Sequence, residues 1–382
     1  MKEWKTYKLS EIGQVIGGAT PSTKVASNYD GDIAWITPKD LSLLSGRYIY
    51  KGERSITEAG YKSCSCQMLP AGSILFSSRA PIGYIAIAGN DLCTNQGFKS
   101  VVPNPEIVNS HFLYYLLSYE KNRIAEMGSG TTFMEISGNV MKNIEVKLPH
   151  LSIQNKIAEI LTSLDEKIEN NQRINDNLEQ QASSLLSDCI STYPCRTYKL
   201  SDICKYANAK CETGNLTPQN YISTENMLPN KKGIVEASNI PTGKATCYKV
   251  DDILIANIRP YFQKIWKADI NGGCSADVLC IRANIESHSP ILYWLLHQDA
   301  FFEYVMTGAK GCKMPRGDKQ HIMNWSINLP EVQYWADLAT QLGSIDQQIA
   351  YNRIESINLS NLRDTLLPKL MSGELKINEI DC

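Results

Sequence analysis

One helix-like stretch is written twice in this chain. SLDEKIENNQRI runs from Ser163 to Ile174, and SIDQQIAYNRI from Ser344 to Ile354, 181 residues later. Ile157, Leu161, Leu164, Ile168, Asn171, Asn175, Leu178, Ala182 and Leu185 follow one another in alternating steps of four and three, the seam of a coiled coil. Adding 181 to each number gives Leu338, Leu342, Ile345, Ile349, Asn352, Ser356, Leu359, Arg363 and Leu366. The seam therefore returns at one offset, and Asn171 reappears as Asn352. An asparagine in an apolar seam fixes register, because a slipped partner leaves its amide unpaired. The two seams are expected to pack on each other antiparallel, within one chain, as a rigid rod with a domain at each end. At 1.5 Å per residue the first helix, from about Leu151 to Ser187, is ~55 Å long. An ordinary amphipathic core helix would leave the repeated asparagine without a reason.

Other segments echo as well. TYKLSEI at Thr6–Ile12 returns as TYKLSDI at Thr197–Ile203, and HFLYYLL at His111–Leu117 has a counterpart in ILYWLLH at Ile291–His297. Each half ends its mixed part on Leu-Pro, at Leu148-Pro149 and Leu329-Pro330. Repeats of this size indicate duplicated domains rather than a solenoid. DIAWITP, GSILFSSR, IGYIAIAG, DILIANI and VLCIRA are short, isoleucine-bearing, and flanked by Gly, Pro or Asp, as strands are. Residues Asn109–Met127 and Ser289–Met306 carry apolar side chains at helical spacing. The expected fold is α/β: two tandem α/β domains separated by two long helices that form an antiparallel coiled coil, with a pseudo-two-fold internal repeat. The expected boundaries are 1–149 for the first domain, 150–190 for the central spacer helix, 191–330 for the second domain and 331–382 for the C-terminal helix and tail.

With 382 residues, two to three domains are expected. Apolar residues at 43% suffice for packed cores. No run of 18 apolar residues occurs and the N-terminus has no apolar segment after its lysines, so a cytoplasmic protein with no membrane association is expected. The 12 cysteines include no C-x-x-C, and Cys64 and Cys66 are too close together for a metal pair. They read as reduced, mostly buried thiols, with no metal site. Net charge is −2, which argues weakly against a simple nucleic-acid binder. The distribution says more. From His150 to Asp188 there are seven acids and three bases, so this segment is acidic and the rest of the chain is slightly basic. No P-loop, no G-x-G-x-x-G after a strand, no Pro-Asp nuclease dipeptide and no Asn-Pro-Pro or Asp-Pro-Pro of the amino-methyltransferases is present. Catalysis by this chain is not expected.

The residues resemble those of a known family, the specificity subunits of type I restriction-modification systems, over essentially the whole chain. LPHLSIQNKIAEILTSLDEKIENNQRI resembles their central spacer helix. LPEVQYWADLATQLGSIDQQIAYNRI with LRDTLLPKLMSGEL resembles its C-terminal partner. SSRAPIGYIAIA and CTNQGFKS within Ser77–Ser100, YISTENMLPNK at Tyr221–Lys231 and KMPRGDKQHIMN at Lys313–Asn324 resemble stretches of their target-recognition domains. The resemblance implies a non-catalytic subunit that reads a split site on double-stranded DNA, one half-site per domain. It implies that the helices space the half-sites and carry two methyltransferase subunits, with restriction-translocase subunits in the full complex. No cofactor is then expected on this chain; S-adenosylmethionine, ATP and Mg belong to the partners. The competing readings are a self-contained enzyme, which the missing motifs disfavour, and a coiled-coil adaptor that does not touch DNA.

Residue chemistry nominates the contacts. In the first domain Ser78 and Arg79 lie at a strand end, and Arg suits guanine or phosphate. Asn95 and Gln96 suit adenine, Lys99 follows them, and the glycine loop carrying Thr131 and Thr132 offers backbone N–H groups to phosphates. In the second domain ANIRPYFQK offers Asn257, Arg259, Tyr261 and Lys264. GAKGCKMPRGDKQH offers Lys310, Lys313, Arg316 and Lys319, spaced by three with one acid among them, the density of charge that phosphate neutralisation needs.

Overall fold

A computed structural model describes residues 4–130 and 134–375. The chain folds into two compact units, Met1–Asn170 with Glu355–Cys382, and Asn171–Ile354. The central helix, Leu151–Thr192, and the C-terminal helix, Trp335–Ser372, each contribute to both.

In the first unit a five-stranded sheet runs Gly13–Gly17, Lys99–Pro103, Ile74–Ser78, Ile82–Ala88, Tyr48–Ile49, beside a three-stranded sheet of Arg54–Ile56, Tyr29–Ile36 and Cys93–Thr94. The central strand Ile74–Ser78 is buried on both faces, and its period of two splits it between two cores. Ile74 and Phe76 join the helix Ser110–Glu126 and the long helices; Leu75 packs with Ala86, Ala88 and Phe98 on the other face. The second unit repeats the arrangement with a four-stranded sheet of Cys204–Tyr206, Val278–Ala283, Ile253–Ala256 and Ile265–Lys267. Ile253 and Ile255 face the helices there, while Leu254 and Ala256 face a second core.

The repeated opening motif has a defined role. Lys5–Lys8 pairs antiparallel with Glu145–Leu148, and Cys195–Lys199 with Ser326–Pro330. In each unit the first strand is thus stitched to the strand that leads into a long helix.

The seam packs as its spacing requires. In the first unit Ile157 and Leu161 meet Leu366, Leu370 and Met371; in the second, Ala182 and Leu186 meet Leu338, Leu342 and Ile345. In both units rising numbers on one helix meet falling numbers on the other, so the pair is antiparallel. Asn171 Nδ2 donates to the Asn352 carbonyl at 3.4 Å, and Asn352 Nδ2 donates to Asn175 Oδ1 at 2.8 Å. Asn175 is thus part of the polar layer, although its equivalent is Ser356.

Two expectations change. The central helix continues past Ser187 to Thr192. The stretch Ser289–Met306 is two helices, Ser289–Leu296 and Asp299–Thr307, because Gln298, just before the second, is extended (ψ 147°). Both sides of the break are apolar, so periodicity alone does not show it. The eleven described cysteines are free thiols. Among the described residues no helix is long and apolar enough to cross a membrane.

Leu342 is fully buried in the seam of the second unit. Leu342→Ala is expected to destabilise that unit by ~2–5 kcal/mol through reduced burial and the cavity left behind, read as a lowered urea midpoint by circular dichroism.

Candidate nucleic-acid interface

The strand Ile253–Ala256 ends at Asn257, and the chain then turns through Arg259, Pro260–Phe262 and Gln263 before returning as Ile265–Lys267. Arg259 and Gln263 are both left-handed, with φ of 52° and 51°. Such a conformation costs a non-glycine residue ~1–2 kcal/mol and persists only where its surroundings impose it. Here they do. The Arg259 N–H donates to the Pro315 carbonyl (2.8 Å), the Gly317 N–H to the Asn257 carbonyl (3.1 Å), and the Asn230 and Lys231 N–H groups to the carbonyls of Phe262 (2.8 Å) and Gln263 (2.9 Å). Gly317 comes so close that a Cβ there would lie 2.8 Å from Asn257 Oδ1.

The basic loop is held against this turn. Lys310 and Arg316 exchange two backbone hydrogen bonds, each 2.9 Å, closing the loop between them. Asp318 then caps the short helix Lys319–Met323, accepting from the N–H groups of Gln320 and His321. The structure therefore brings together two segments that sequence chemistry nominated separately. Arg259, Tyr261, Lys310, Lys313, Arg316 and Lys319 are all exposed on this platform. Tyr261 and Phe262 stand side by side with ring centroids 4.7 Å apart; Phe262 was not nominated. Lys264 departs from expectation. Its ammonium turns inward to the Thr224 carbonyl (2.6 Å), and burial lowers its pKa.

Two of the four loop cations are already partnered by acids. Lys310 pairs with Asp318 at 2.6 Å and Arg316 with Asp277 at 3.2 Å, both at the surface. Lys319 sits 5.6 Å from the Tyr206 ring. Among the described residues no acid pairs with Lys313. Exposed pairs of this kind contribute little to stability, so a stronger anion can take the acid's place.

The first unit contains the same device. Ala80 is left-handed (φ 56°) and precedes Pro81 as Arg259 precedes Pro260. The Ile136 N–H donates to the Ser78 carbonyl (3.0 Å), as Gly317 does to Asn257. Ser129 and Glu135 exchange two backbone bonds of 3.1 Å, and Ser137 caps the short helix Gly138–Lys142. Ser129, Glu135 and Ser137 become Lys310, Arg316 and Asp318 on adding 181, the offset of the seam. That shared offset is the signal by which the two loops could have been matched, since their side chains share almost nothing.

The side chains of the first unit sort differently. Ser78 is fully buried and its hydroxyl donates to the Gly97 carbonyl (3.1 Å), which corrects its nomination as a contact. Asn95 Oδ1 accepts from the Gly97 N–H (2.8 Å) and so shapes its own turn. Gln96 is exposed and accepts from the Thr20 hydroxyl. Arg79 and Lys99 converge on Glu135, at 3.7 and 3.3 Å; that acid was not nominated. Thr131 and Thr132 lie outside the described residues. No group of His, Cys, Asp and Glu among the described residues is arranged to hold a metal ion.

Residues 1–180 match the family model described as type I restriction modification DNA specificity domain. The MjaIX type I restriction enzyme specificity subunit of Methanocaldococcus jannaschii is 31% identical, with 99% of this chain and 95% of that protein covered. The chain belongs to the type I restriction specificity subunits. The EcoDI specificity subunit of Escherichia coli is also similar, 22% identical over 98% of this chain and 89% of its own length. The crystal structure of the type I restriction-modification S subunit from M. genitalium shares the fold, with a TM-score of 0.61 at 16% identity, covering 97% of this chain and 96% of that one. Within this specificity subunit, the platform of the second unit carries exposed cations beside the exposed Tyr261 and Phe262, whereas Arg79 and Lys99 on the first are half-buried.

The cap of the second platform has a pH signature. The Lys310 ammonium, and after it the His321 N–H, hold the Asp318 carboxyl down to about 2 from its ordinary 3.8. A depressed carboxyl adds stability that is fully present above the ordinary value and is lost as pH falls towards the folded one. The cap should therefore stay intact at pH 4 and open between about 4 and 2. Carbon-detected NMR titration of Asp318 checks this, and Lys310→Ala should move the midpoint upward.

Proposed function

We propose that each unit of this specificity subunit reads one half of a split DNA site, and that the helix pair sets the gap between the halves and carries two methyltransferase subunits. The observation that carries this reading is the recurrence of one clamped platform in both units, its loop (Ser129, Glu135 and Ser137 against Lys310, Arg316 and Asp318) at the offset of the helical seam, with different side chains on each. A duplicated scaffold with divergent surface residues is what an asymmetric, two-part target requires.

Roles follow from chemistry. Lys313 and Arg316, with Lys310 and Lys319, neutralise phosphates and set the register of the second unit. Arg79 and Gln96 in the first unit, and Arg259 and Tyr261 in the second, have the chemistry to contact base edges, whereas the Asn257 side-chain oxygen, nominated with them, is buried under the loop. The acidic central helix is poorly suited to phosphate, and its outward polar faces suit a protein partner. This chain carries no chemistry of its own in this reading. S-adenosylmethionine binds the methyltransferase subunits, ATP and Mg the restriction-translocase subunits, in a cytoplasmic complex.

Replacing Lys313 and Arg316 by Ala together is expected to weaken DNA binding by the assembled methyltransferase and to flatten its salt dependence. The log–log slope should fall by roughly 0.9 for each phosphate that is no longer neutralised. An unchanged slope would mean that this loop does not meet the backbone, which is the outcome an adaptor reading requires.

The spacing role has its own test. One heptad inserted after Asn177 and another after Gln347, on the same side of the Asn171–Asn352 layer, keeps that layer and both seams in phase and lengthens the helix pair by ~10 Å, roughly three base pairs. Three pairs also rotate the second half-site by ~100° about the DNA. The half-site sequences should stay the same while the preferred spacer lengthens or affinity drops. Methylation of a random-spacer library reads this directly; the original spacer methylated at the original rate would remove the helices as the ruler.

A further inference from the structure

The repeated helix carries an aspartate at one place in both copies, Asp165 in SLDEK and Asp346 in SIDQQ, again 181 apart. Neither belongs to the apolar seam, and neither lies on the platforms. In the first unit Asp165 is only 5% exposed. The Tyr115 hydroxyl, from the helix Ser110–Glu126, donates to it at 2.5 Å, and Arg363 of the C-terminal helix at 2.7 Å. Arg47, which precedes the edge strand Tyr48–Ile49, is also buried. Its guanidinium forks onto Glu169 of the central helix at 3.0 and 3.1 Å, approaches Asp165 at 3.8 Å, and donates to the Tyr115 hydroxyl at 3.4 Å.

The second unit reaches the same arrangement with other residues. The Trp294 indole N–H, from the helix Ser289–Leu296, donates to Asp346 at 2.8 Å. Lys267, at the end of the strand Ile265–Lys267, donates to Asp346 at 2.6 Å and pairs with Asp251 at 3.0 Å. Arg353 pairs with Asp269 close by. In each unit, then, an aspartate of a long helix takes one donor from an aromatic on the domain's own helix; a sheet-side cation bonds it directly in the second unit, and in the first the sheet-side Arg47 lies 3.8 Å away and bonds Glu169 of the same helix instead.

Stability alone does not account for this. A buried ion pair is no better than well-packed hydrocarbon of the same volume, because desolvation offsets its attraction. What it adds is direction. Apolar surfaces slide over one another at little cost, whereas a hydrogen bond weakens steeply as its angle departs from linear. Two or three such bonds converging on one carboxylate from different elements fix the rotation of a domain on its helices. The residue types differ between the copies, Tyr and Arg in one, Trp and Lys in the other, yet in both an aromatic donor of the domain's helix meets the repeated carboxylate and a sheet-side cation is held against the same long helix.

We infer that Asp165 and Asp346 are positioning residues, which fix the angle at which each DNA-reading domain is held on the helix pair and thereby the sharpness with which one half-site spacing is selected. This rests on the split-site reading above. It differs from the length argument: helix length sets which spacer is preferred, and the two carboxylate clusters set how strictly.

The test uses the full chain co-expressed with its methyltransferase subunit, with methylation measured on a duplex library that carries the wild-type half-sites at all spacings. Tyr115→Phe and Trp294→Phe each remove one donor and keep an aromatic ring. Each is expected to reduce the preference for the original spacer over its neighbours by about tenfold, the worth of one hydrogen bond to a charged group, with the half-site bases unchanged. Leu161→Ala is the control, a core truncation on the same helix that lowers the melting temperature but leaves every donor and acceptor of both clusters in place; it should keep the wild-type spacer profile. Asp165→Asn, if it folds, should broaden the profile further than Tyr115→Phe. A wild-type profile in both folded donor variants overturns the inference, as does equal broadening by Leu161→Ala. A wild-type complex that shows no spacer preference at all would instead overturn the split-site reading, and the inference with it.

Discussion

The register of the two long helices against each other is the constraint on which the rest depends. It is set by a small polar layer inside an apolar seam, where Asn352 donates to Asn175 and accepts from Gln348, and Asn171 donates to the Asn352 carbonyl. A slip of one heptad would move these amides onto leucine or isoleucine, at a cost of roughly 1–3 kcal/mol for each buried group left unmet. The same slip would part Arg363 from Asp165 in the first unit. Apolar burial makes the pair stable, and the amides make it single-valued.

On that frame the two platforms are built for exchange rather than for strength. Four of their cations rest on acids of the same chain, Arg79 and Lys99 on Glu135, Lys310 on Asp318, Arg316 on Asp277. An exposed pair holds its members loosely, and a phosphate competes for the cation in similar geometry. The backbone beneath is the opposite of loose. Left-handed residues at Arg259 and Gln263 persist because hydrogen bonds from neighbouring segments close over them. Fixed main chain with replaceable side-chain partners lets one scaffold present many surfaces.

Much of this was legible in the sequence because it rests on periodicity. The seam, the repeated asparagine, the strands and the order of elements all follow from spacing, and spacing survives divergence. The paired loops were legible only in part. GSGTTFMEIS and AKGCKMPRGD share position and hydrogen bonding but almost no side chains, and backbone geometry leaves little trace in residue type. Ser78 shows the reverse failure. A serine at a strand end reads as a surface group, yet here its hydroxyl is consumed by the Gly97 carbonyl. The break at Gln298 is marked only by the short polar run His297-Gln298-Asp299, which a helix also tolerates on its outer face, and the ψ angle that makes it leaves no trace in periodicity. Asp165 and Asp346 stood in plain view within the repeat, but their partners come from residues as distant as Arg47 and Lys267, which no local pattern connects.

The pairing of first strand with last has a consequence for how such chains change. Lys5–Lys8 lies beside Glu145–Leu148, and Cys195–Lys199 beside Ser326–Pro330. The chain therefore enters and leaves each domain at neighbouring points, and everything between is a closed excursion from the helices. Genetic exchange with endpoints in the repeated TYKLS segment and just before the helix would replace the excursion whole and leave both endpoints in register. Because that segment occurs twice, a single chain offers two equivalent sockets for the same insert, and a domain evolved in one can be accepted by the other.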